Sequence, residues 1–297
     1  MSWFVLAMAM LSAQPGPENP VFRQLVATGL CAHAEGQHHV RLPEPTMVDG
    51  LDAAAQRQRI EKLAGPNRRI EDLLRNSVVA PFVLKIEDLP PVAGGDLFRR
   101  VEVGYVAYGP LEKFFSESFF EQMLHLAPSE KKTKLPLTSH LLAEEELRKR
   151  NIACGDREGY KERYYFSTTA LFDRVLLSAT RRVVVTRQPD SVLVAAVIDA
   201  RFANDPEYPN RWQSITLDAS GQFRLGPAQP YEASGTYTKI TRLHQPDGAL
   251  FIEHHQALAE PEGWFGGTHL LRSKLPLAVQ DGVRKLRRQL RAAQGAP

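Results

Sequence analysis

The spacing of apolar positions divides the chain into a helical beginning, a strand-rich middle and a helical end. In "LDAAAQRQRIEKLAG", Leu51, Ala55 and Ile60 recur at about helical spacing, and Gly65 suits the end of a helix. The helices predicted in this first part cover residues 20–30, 51–64 and 70–75. Residues 14–77 are therefore expected to form a helical N-terminal extension.

Most of the remaining chain alternates between apolar and polar residues or runs through β-branched ones, which is typical of strands. The segments "PFVLKIEDLP" (81–90) and "LFRRVEVGYVAYG" (97–109) predict two strands, and helical spacing predicts helices at 111–126 and 139–151. Further strands are predicted at residues 160–171, 174–187, 191–202, 211–218, 232–243 and 248–260. Short turns such as "RQPDS" and "QPDG" join them, so they should form an antiparallel meander.

A single amphipathic helix is predicted near the end of the chain, over residues 276–293. Its apolar stripe consists of Leu275, Val279, Val283, Leu286 and Leu290. Its other side carries Arg284, Lys285, Arg287, Arg288 and Arg291. This basic side is typical of a solvated helix face, and it would also suit a surface that binds anions.

This order of elements resembles that of START-like helix-grip domains, the SRPBCC-type superfamily, over residues 78–293. The resemblance implies an α+β fold in which a curved antiparallel sheet wraps the long C-terminal helix and leaves an apolar cavity between them. Residues 78–297 would then form one START-like domain behind the N-terminal extension. The segments "LPEPTMVDGLDAAAQ" (42–56) and "NRW" to "GWFGG" (210–267) also resemble an uncharacterised family of exported bacterial proteins of the planctomycete type.

The first residues, "MSWFVLAMAMLSA", predict a signal peptide over residues 1–13, because an apolar run ends at small residues and a proline-rich segment follows. We therefore expect an exported protein, periplasmic or extracellular. A cytoplasmic protein in which this run is a buried strand or helical turn is the alternative. After export, Cys31 and Cys154 could form a disulfide or remain two separate thiols.

Composition and motifs narrow the classes of function. The chain has 297 residues, of which 43% are hydrophobic, and a net charge of +3. That charge is too small to indicate a nucleic-acid partner, and no apolar run approaches the ~18 residues of a transmembrane helix. P-loop, dinucleotide-binding, nucleophile-elbow and Cys-x-x-Cys motifs are missing from the sequence, so no cofactor or metal is expected. The oxygen-rich loop 199–212 would suit calcium, but it is also typical of ordinary turns.

The segment "ALFIEHHQALAE" (249–260) is the strongest candidate for chemistry. Because neighbouring side chains of a strand point to opposite faces, His254 and His255 cannot both bind one metal ion. Glu253 and His255 share a face. They could act as an oriented acid–base pair, or they could form an ion pair without catalytic function.

Three hypotheses of function follow. The first is a non-enzymatic protein that binds an apolar or lipid-like ligand between the sheet and the C-terminal helix, with Tyr105, Tyr237 and His254 as polar contacts. The second is an enzyme of the cyclase or hydrolase kind that uses Glu253 and His255. The third is a structural or interaction protein of the cell envelope with a filled core. The sequence leaves the oligomeric state open.

Overall fold

The computed structural model describes residues 17–31, 39–89, 97–118, 135, 137–231, 233–261, 264 and 270–294. Its helices are α1 (Pro20–Arg23), α2 (Ala53–Ala64), α3 (Ile70–Leu74), α4 (Glu144–Arg148) and α5 (Leu270–Gln294). A π-helical turn over Gln24–Thr28 continues α1, and 3-10 helices cover Leu111–Phe115 and Ala200–Phe202. Among the described residues, no helix combines the length and the apolar composition that a membrane crossing requires.

Within the described residues, one antiparallel sheet of 12 strands dominates the structure. Its strands are β3 (Val83–Leu89), β4 (Leu97–Tyr108), β5 (Thr138–Leu141), β6 (Asp156–Arg157), β7 (Tyr160–Leu171), β8 (Val175–Arg187), β9 (Ser191–Ile198), β10 (Arg211–Leu217), β11 (Phe223–Leu225), β12 (Gln229–Pro230), β13 (Ser234–Arg242) and β14 (Ala249–Glu260). The order of strands across the sheet is β11-β10-β8-β9-β13-β14-β4-β3. Four strands lie off this path: β7 pairs with β8, β5 and β6 pair with β7, and β12 pairs with β10. Two further strands, β1 (Leu30–Cys31) and β2 (His39–Val40), form a separate ribbon.

The central strands of the sheet are buried on both faces. On β8, Val183 and Val185 pack into one apolar cluster, and Val184 between them packs into another. Strands covered on both sides carry near-continuous apolar runs instead of a strict alternation. This double burial explains why valine-rich runs replace a simple apolar–polar pattern in this part of the chain.

Helix α5 and the 3-10 helix Leu111–Phe115 lie on one face of the sheet, which we call the helix face. On β14 the helix face consists of Leu250, Ile252, His254, Gln256 and Leu258. Val283, Leu286 and Leu290 of α5 are buried against this face, where they share a cluster with Leu250 and Ile252. The apolar stripe that the sequence shows at these helix positions is therefore the surface by which α5 packs.

The N-terminal residues cover the opposite face, which we call the extension face. On β14 the extension face consists of Phe251, Glu253, His255, Ala257 and Ala259. Val21 and Leu25 of the first helical segment pack against Tyr237 there. Ile60 of α2 packs in the same cluster as Phe251. The N-terminal extension thus forms one of three layers, with the sheet in the middle and α5 on the far side.

The fold class expected from the sequence, an α+β helix-grip domain, is wrong. The structure is mostly a large antiparallel sheet of 12 strands, with a few short helices and one C-terminal helix. The sequence pattern predicts none of the strands β5, β6, β11 and β12, because strands of two to four residues are too short to show a period. It also predicts a helix at 139–151, where residues 138–141 instead pair with β7 and only Glu144–Arg148 is α-helical.

Other expectations differ at the boundaries. Helix α5 begins at Leu270, so Pro276 lies inside the helix and not in its first turn. Of the helix expected at 111–126, Leu111–Phe115 form a 3-10 helix and residues 117 and 118 are α-helical, and residues 119–126 lie outside the described residues. The predicted signal peptide also lies outside them, and export stays a prediction. Cys154 is a free thiol, so the structure has no disulfide between Cys154 and Cys31.

The close approach of the first helical segment depends on Gly235 in β13. A Cβ atom at this position would lie 2.4 Å from Cδ2 of Leu25 and 2.9 Å from Cδ2 of Leu30. Both leucines are buried, so neither can swing away. We expect Gly235→Ala to lower the free energy of unfolding by about 1–3 kcal/mol through overpacking. Urea denaturation measures this.

Gly282→Ala is the matched control. Gly282 lies inside α5 with no atom within 4 Å of an added Cβ. Alanine there should raise the free energy of unfolding by up to about 1 kcal/mol, because it removes the conformational freedom of a helical glycine. Equal changes in the two variants would contradict the packing argument.

Candidate functional site

Strand β14 separates the two adjacent histidines. His254 lies on the helix face and forms hydrogen-bond contacts with Thr236 and Thr238 of β13. His255 lies on the extension face, where its ring stacks on Tyr237 with centroids 4.7 Å apart. The two histidines therefore belong to different layers of the protein.

The Glu253 carboxylate anchors the loop before α2 to the sheet. Its oxygens accept hydrogen bonds from the backbone N–H groups of Thr46 (2.7 Å) and Met47 (2.9 Å). Nε2 of His255 lies 3.5 Å from the Glu253 carboxylate. Glu253 is only 2% exposed, so both acceptor bonds form away from solvent, where they are strong and costly to lose.

Two neighbours of Glu253 hold the same loop. The Tyr237 hydroxyl donates to the backbone carbonyl of Pro43 at 2.7 Å. The buried Lys239 ammonium forms an ion pair with Asp49 at 3.1 Å. The polar residues of this part of the extension face therefore act together on residues 43–49. These contacts explain the buried Glu253 carboxylate as a structural anchor for residues 43–49.

Of the residues expected to contact a ligand, Tyr105 and His254 share the helix face and Tyr237 lies on the extension face. The Tyr105 ring lies below the guanidinium of Arg287, whose Cζ is 5.6 Å from the ring centroid. Burial raises the pKa of Tyr105 above its usual range. Only two of the three expected contacts can thus face the same space.

His254 is held in a defined tautomer by the two threonines. The Thr236 hydroxyl donates to the backbone carbonyl of His255 at 2.9 Å, so it can only accept from Nε2 of His254. Nδ1 of His254 then accepts from the Thr238 hydroxyl at 2.8 Å. Desolvation by burial lowers the pKa of His254 to about 4, with a smaller contribution from His255. The imidazole is therefore neutral at pH 7.

A cavity lies between α5 and the edge strand β3, which we call the α5–β3 cavity. Its volume is about 490 Å³. It is lined by Arg68, Val79, Ala80, Pro81, Phe82, Leu84, Pro276, Gln280, Val283, Arg284 and Arg287. Glu253, His255, Tyr105, Tyr237 and His254 are not among the residues that line it.

The oxygen-rich loop 199–212 has a structural explanation. Asp205 accepts backbone hydrogen bonds from Glu207 and Tyr208 and forms an ion pair with Arg150. The buried Asn210 accepts from the backbone N–H of Thr180. Within the described ranges, no three His, Cys, Asp or Glu side chains are grouped closely enough to hold a metal ion.

The residues that line the α5–β3 cavity are not apparent as a set in the sequence. One signal does point to Arg287, which follows Val283 by four positions and precedes Leu290 by three. It therefore belongs to the buried stripe of α5 by helical spacing, although its charge suggests the solvated side. The segment 79–84, which forms the opposite wall, carries no polar motif.

No protein-family model matches this chain, and no curated protein matches it either. Among solved structures, the chain is similar to an uncharacterised protein from Rhizobium leguminosarum. The two share 10% sequence identity, and the similarity covers 70% of this chain and 99% of the other, with a TM-score of 0.32. This similarity carries no argument about fold or function, and both family resemblances stay predictions from the sequence.

Removing the charge of Glu253 should release the loop that it holds. In Glu253→Gln, the amide group cannot accept from both backbone N–H groups with equal strength. We expect the free energy of unfolding to fall by about 1–3 kcal/mol. The amide hydrogens of Thr46 and Met47 should exchange faster, as measured by hydrogen–deuterium exchange.

Glu102→Gln serves as the control on the same strand pair. Glu102 pairs with Lys85 and Arg100 at partly exposed positions, so its loss should cost at most about 1 kcal/mol. Unchanged exchange at Thr46 and Met47 in Glu253→Gln would show that other contacts hold the loop.

His254 should make stability fall as the pH is lowered below neutral. Its folded-state pKa of about 4 lies below the ordinary value of 6.5, so between these values the unfolded chain binds a proton that the folded protein does not. The contribution of His254 to the free energy of unfolding is fully present above pH 6.5. It decreases by at most about 1.4 kcal/mol per pH unit between pH 6.5 and pH 4. His254→Gln should lack this slope in urea denaturation at several pH values. Parallel pH profiles of the two proteins would contradict the assignment.

Proposed function

We propose that this protein binds an apolar or lipid-like ligand between the sheet and helix α5, without catalysing a reaction. The observation that carries the proposal is the α5–β3 cavity. Its volume of about 490 Å³ lies within the range of about 300–1,000 Å³ that small-molecule sites occupy.

The walls of the cavity support an apolar ligand. Phe82 and Leu84 are only partly buried, although they belong to the edge of the main apolar cluster. Val79 next to them is 63% exposed. Apolar side chains that stay open to solvent beside a concave surface are typical of a binding site, because covering them is favourable.

The position of the cavity also supports the proposal. β3 is the last strand on its side of the sheet and pairs there only with β4 within the described residues. The buried residues Val283, Leu286 and Leu290 fix α5 against the sheet, where the helix contacts β4. The space between helix and edge strand is therefore bounded by fixed elements on both sides, so a ligand would not need to open the core.

Filling the cavity should abolish binding. Gln280 lines it from α5 and is partly exposed, so Gln280→Trp can place an indole ring there without disturbing the core. We expect the affinity for the neutral dye phenylnaphthylamine to fall at least about tenfold, because the ring occupies the volume that the dye needs. Fluorescence titration measures this.

Leu277→Trp is the matched control, since Leu277 lies on the same helix, is 60% exposed and does not line the cavity. It should bind the dye like the unchanged protein. Failure of the unchanged protein to bind any apolar probe, or equal binding by both variants, would overturn the proposal.

A further inference from the structure

All charged side chains that line the α5–β3 cavity are arginines. They are Arg68, Arg284 and Arg287, and the described wall contains neither aspartate nor glutamate. Gln280 is the one uncharged polar residue of this wall. A concave surface with low-dielectric walls and charges of one sign concentrates a field of that sign. The described wall therefore contributes positive charge to the cavity that no acidic residue of that wall neutralises.

Arg287 is the buried source of this potential. It is 4% exposed, and among the described residues its guanidinium donates only to backbone carbonyl groups. The acceptors are Val106 (3.0 Å from Nε), Val78 (3.3 Å from Nη1), Pro81 (3.2 Å from Nη2) and Ala80. In the described part of the chain, no carboxylate forms an ion pair with it.

Carbonyl groups satisfy the hydrogen-bonding needs of Arg287 but do not cancel its charge. A buried charge without an opposite charge is costly, and the aligned carbonyl dipoles offset only part of that cost. In accordance with this, burial lowers the pKa of the Arg287 guanidinium from its ordinary value. An anion close to the cavity would supply the opposite charge that the protein itself does not provide there.

Arg284 and Arg68 bring two more positive charges to the wall of the cavity. Arg284 lies one helical turn before Arg287 and is partly exposed, and within the described residues it forms no ion pair. Arg68 reaches over from the loop after α2, and its Nη1 donates to the carbonyl oxygen of Phe82 at 2.7 Å. Arg272, which lies on the same helix outside the cavity, instead pairs with Asp88 at 3.3 Å.

Resting on the proposed function, we infer that the ligand of the α5–β3 cavity is an amphiphile with an anionic head group, a carboxylate or a phosphate ester. Arg284 and Arg68 bind the head group, and the apolar part lies against Phe82 and Leu84. The planar guanidinium groups suit this role, because their N–H donors match the oxygens of carboxylates and phosphates. A neutral lipid would leave the three arginine charges of the cavity without a partner.

The inference is tested by competition between ligands that share one chain length and differ in head group. Dodecanoate, dodecyl phosphate, dodecanol, dodecyltrimethylammonium and inorganic phosphate each compete with phenylnaphthylamine for the unchanged protein. We expect the two anionic amphiphiles to bind about tenfold tighter than dodecanol, as a charge-assisted hydrogen bond would give. Dodecyltrimethylammonium should bind more weakly than dodecanol, and inorganic phosphate alone should not displace the dye.

The double variant Arg68→Gln/Arg284→Gln should remove the preference for anions and keep the affinity for dodecanol. Both positions are at least partly exposed, so the fold should persist, which circular dichroism checks. Arg288→Gln changes the same charge at an exposed position of α5 outside the cavity and should keep the preference. Arg287 is left unchanged in both variants, because its bonds hold residues 78–81 against the helix.

The outcomes separate the two proposals. Equal affinity for dodecanoate and dodecanol in the unchanged protein would contradict the inference that the ligand has an anionic head group. The proposal that the cavity binds an apolar ligand would still stand. If inorganic phosphate displaces the dye at the same concentration as dodecyl phosphate, the inference that the ligand is an amphiphile fails, because a free anion would then be enough to occupy the site. If the dye and the chain-matched ligands do not bind at all, the proposed function itself fails.

Discussion

A sheet that is apolar on both faces must be covered twice, and this requirement determines the architecture of the protein. The central strands β8, β9, β13 and β14 place buried aliphatic or aromatic side chains on each face. Helix α5 and the 3-10 helix Leu111–Phe115 cover one face, and the N-terminal extension covers the other. Neither cover can be lost without exposing a large apolar surface to water. The polar anchors of the molecule serve the same end, since Glu253, Tyr237 and Lys239 all hold the extension in place.

The candidate site, the α5–β3 cavity, lies at the edge of the sheet beside helix α5. Helix α5 packs against β4, but it leaves a space beside the edge strand β3, and the segment 79–82 closes one side of that space. Arg287 joins this segment to the helix through its backbone carbonyl groups. One side chain thus fixes the wall of the cavity and also gives the cavity its charge, so shape and electrostatics are linked at this position.

The sequence predicts the long strands well and the site poorly, for physical reasons. Strands of seven or more residues, such as β7, β8 and β14, are long enough to show either an alternating pattern or a continuous β-branched apolar run, and their observed bounds lie within four residues of the predicted ones. The two-residue strands β6 and β12 depend on a neighbour for their conformation and have no pattern of their own. Arg287 belongs to a basic helix and its charge suggests a solvated position. Its burial cannot be read from the local sequence, because its carbonyl partner at Ala80 lies 207 residues away in the chain. The cavity is a product of such distant contacts.

The bonds between Glu253 and the amides of Thr46 and Met47 also have a consequence for the order of events during synthesis. They join parts of the chain that are 207 and 206 residues apart. The ribosome makes residues 43–49 long before β14 exists, and at that stage the loop has no carboxylate to dock on. Residues 43–49 therefore cannot take their final place until β14 has emerged from the ribosome. During this interval the apolar side chains of α1 and α2 have no sheet to cover, so they stay exposed to water until the later strands have been made.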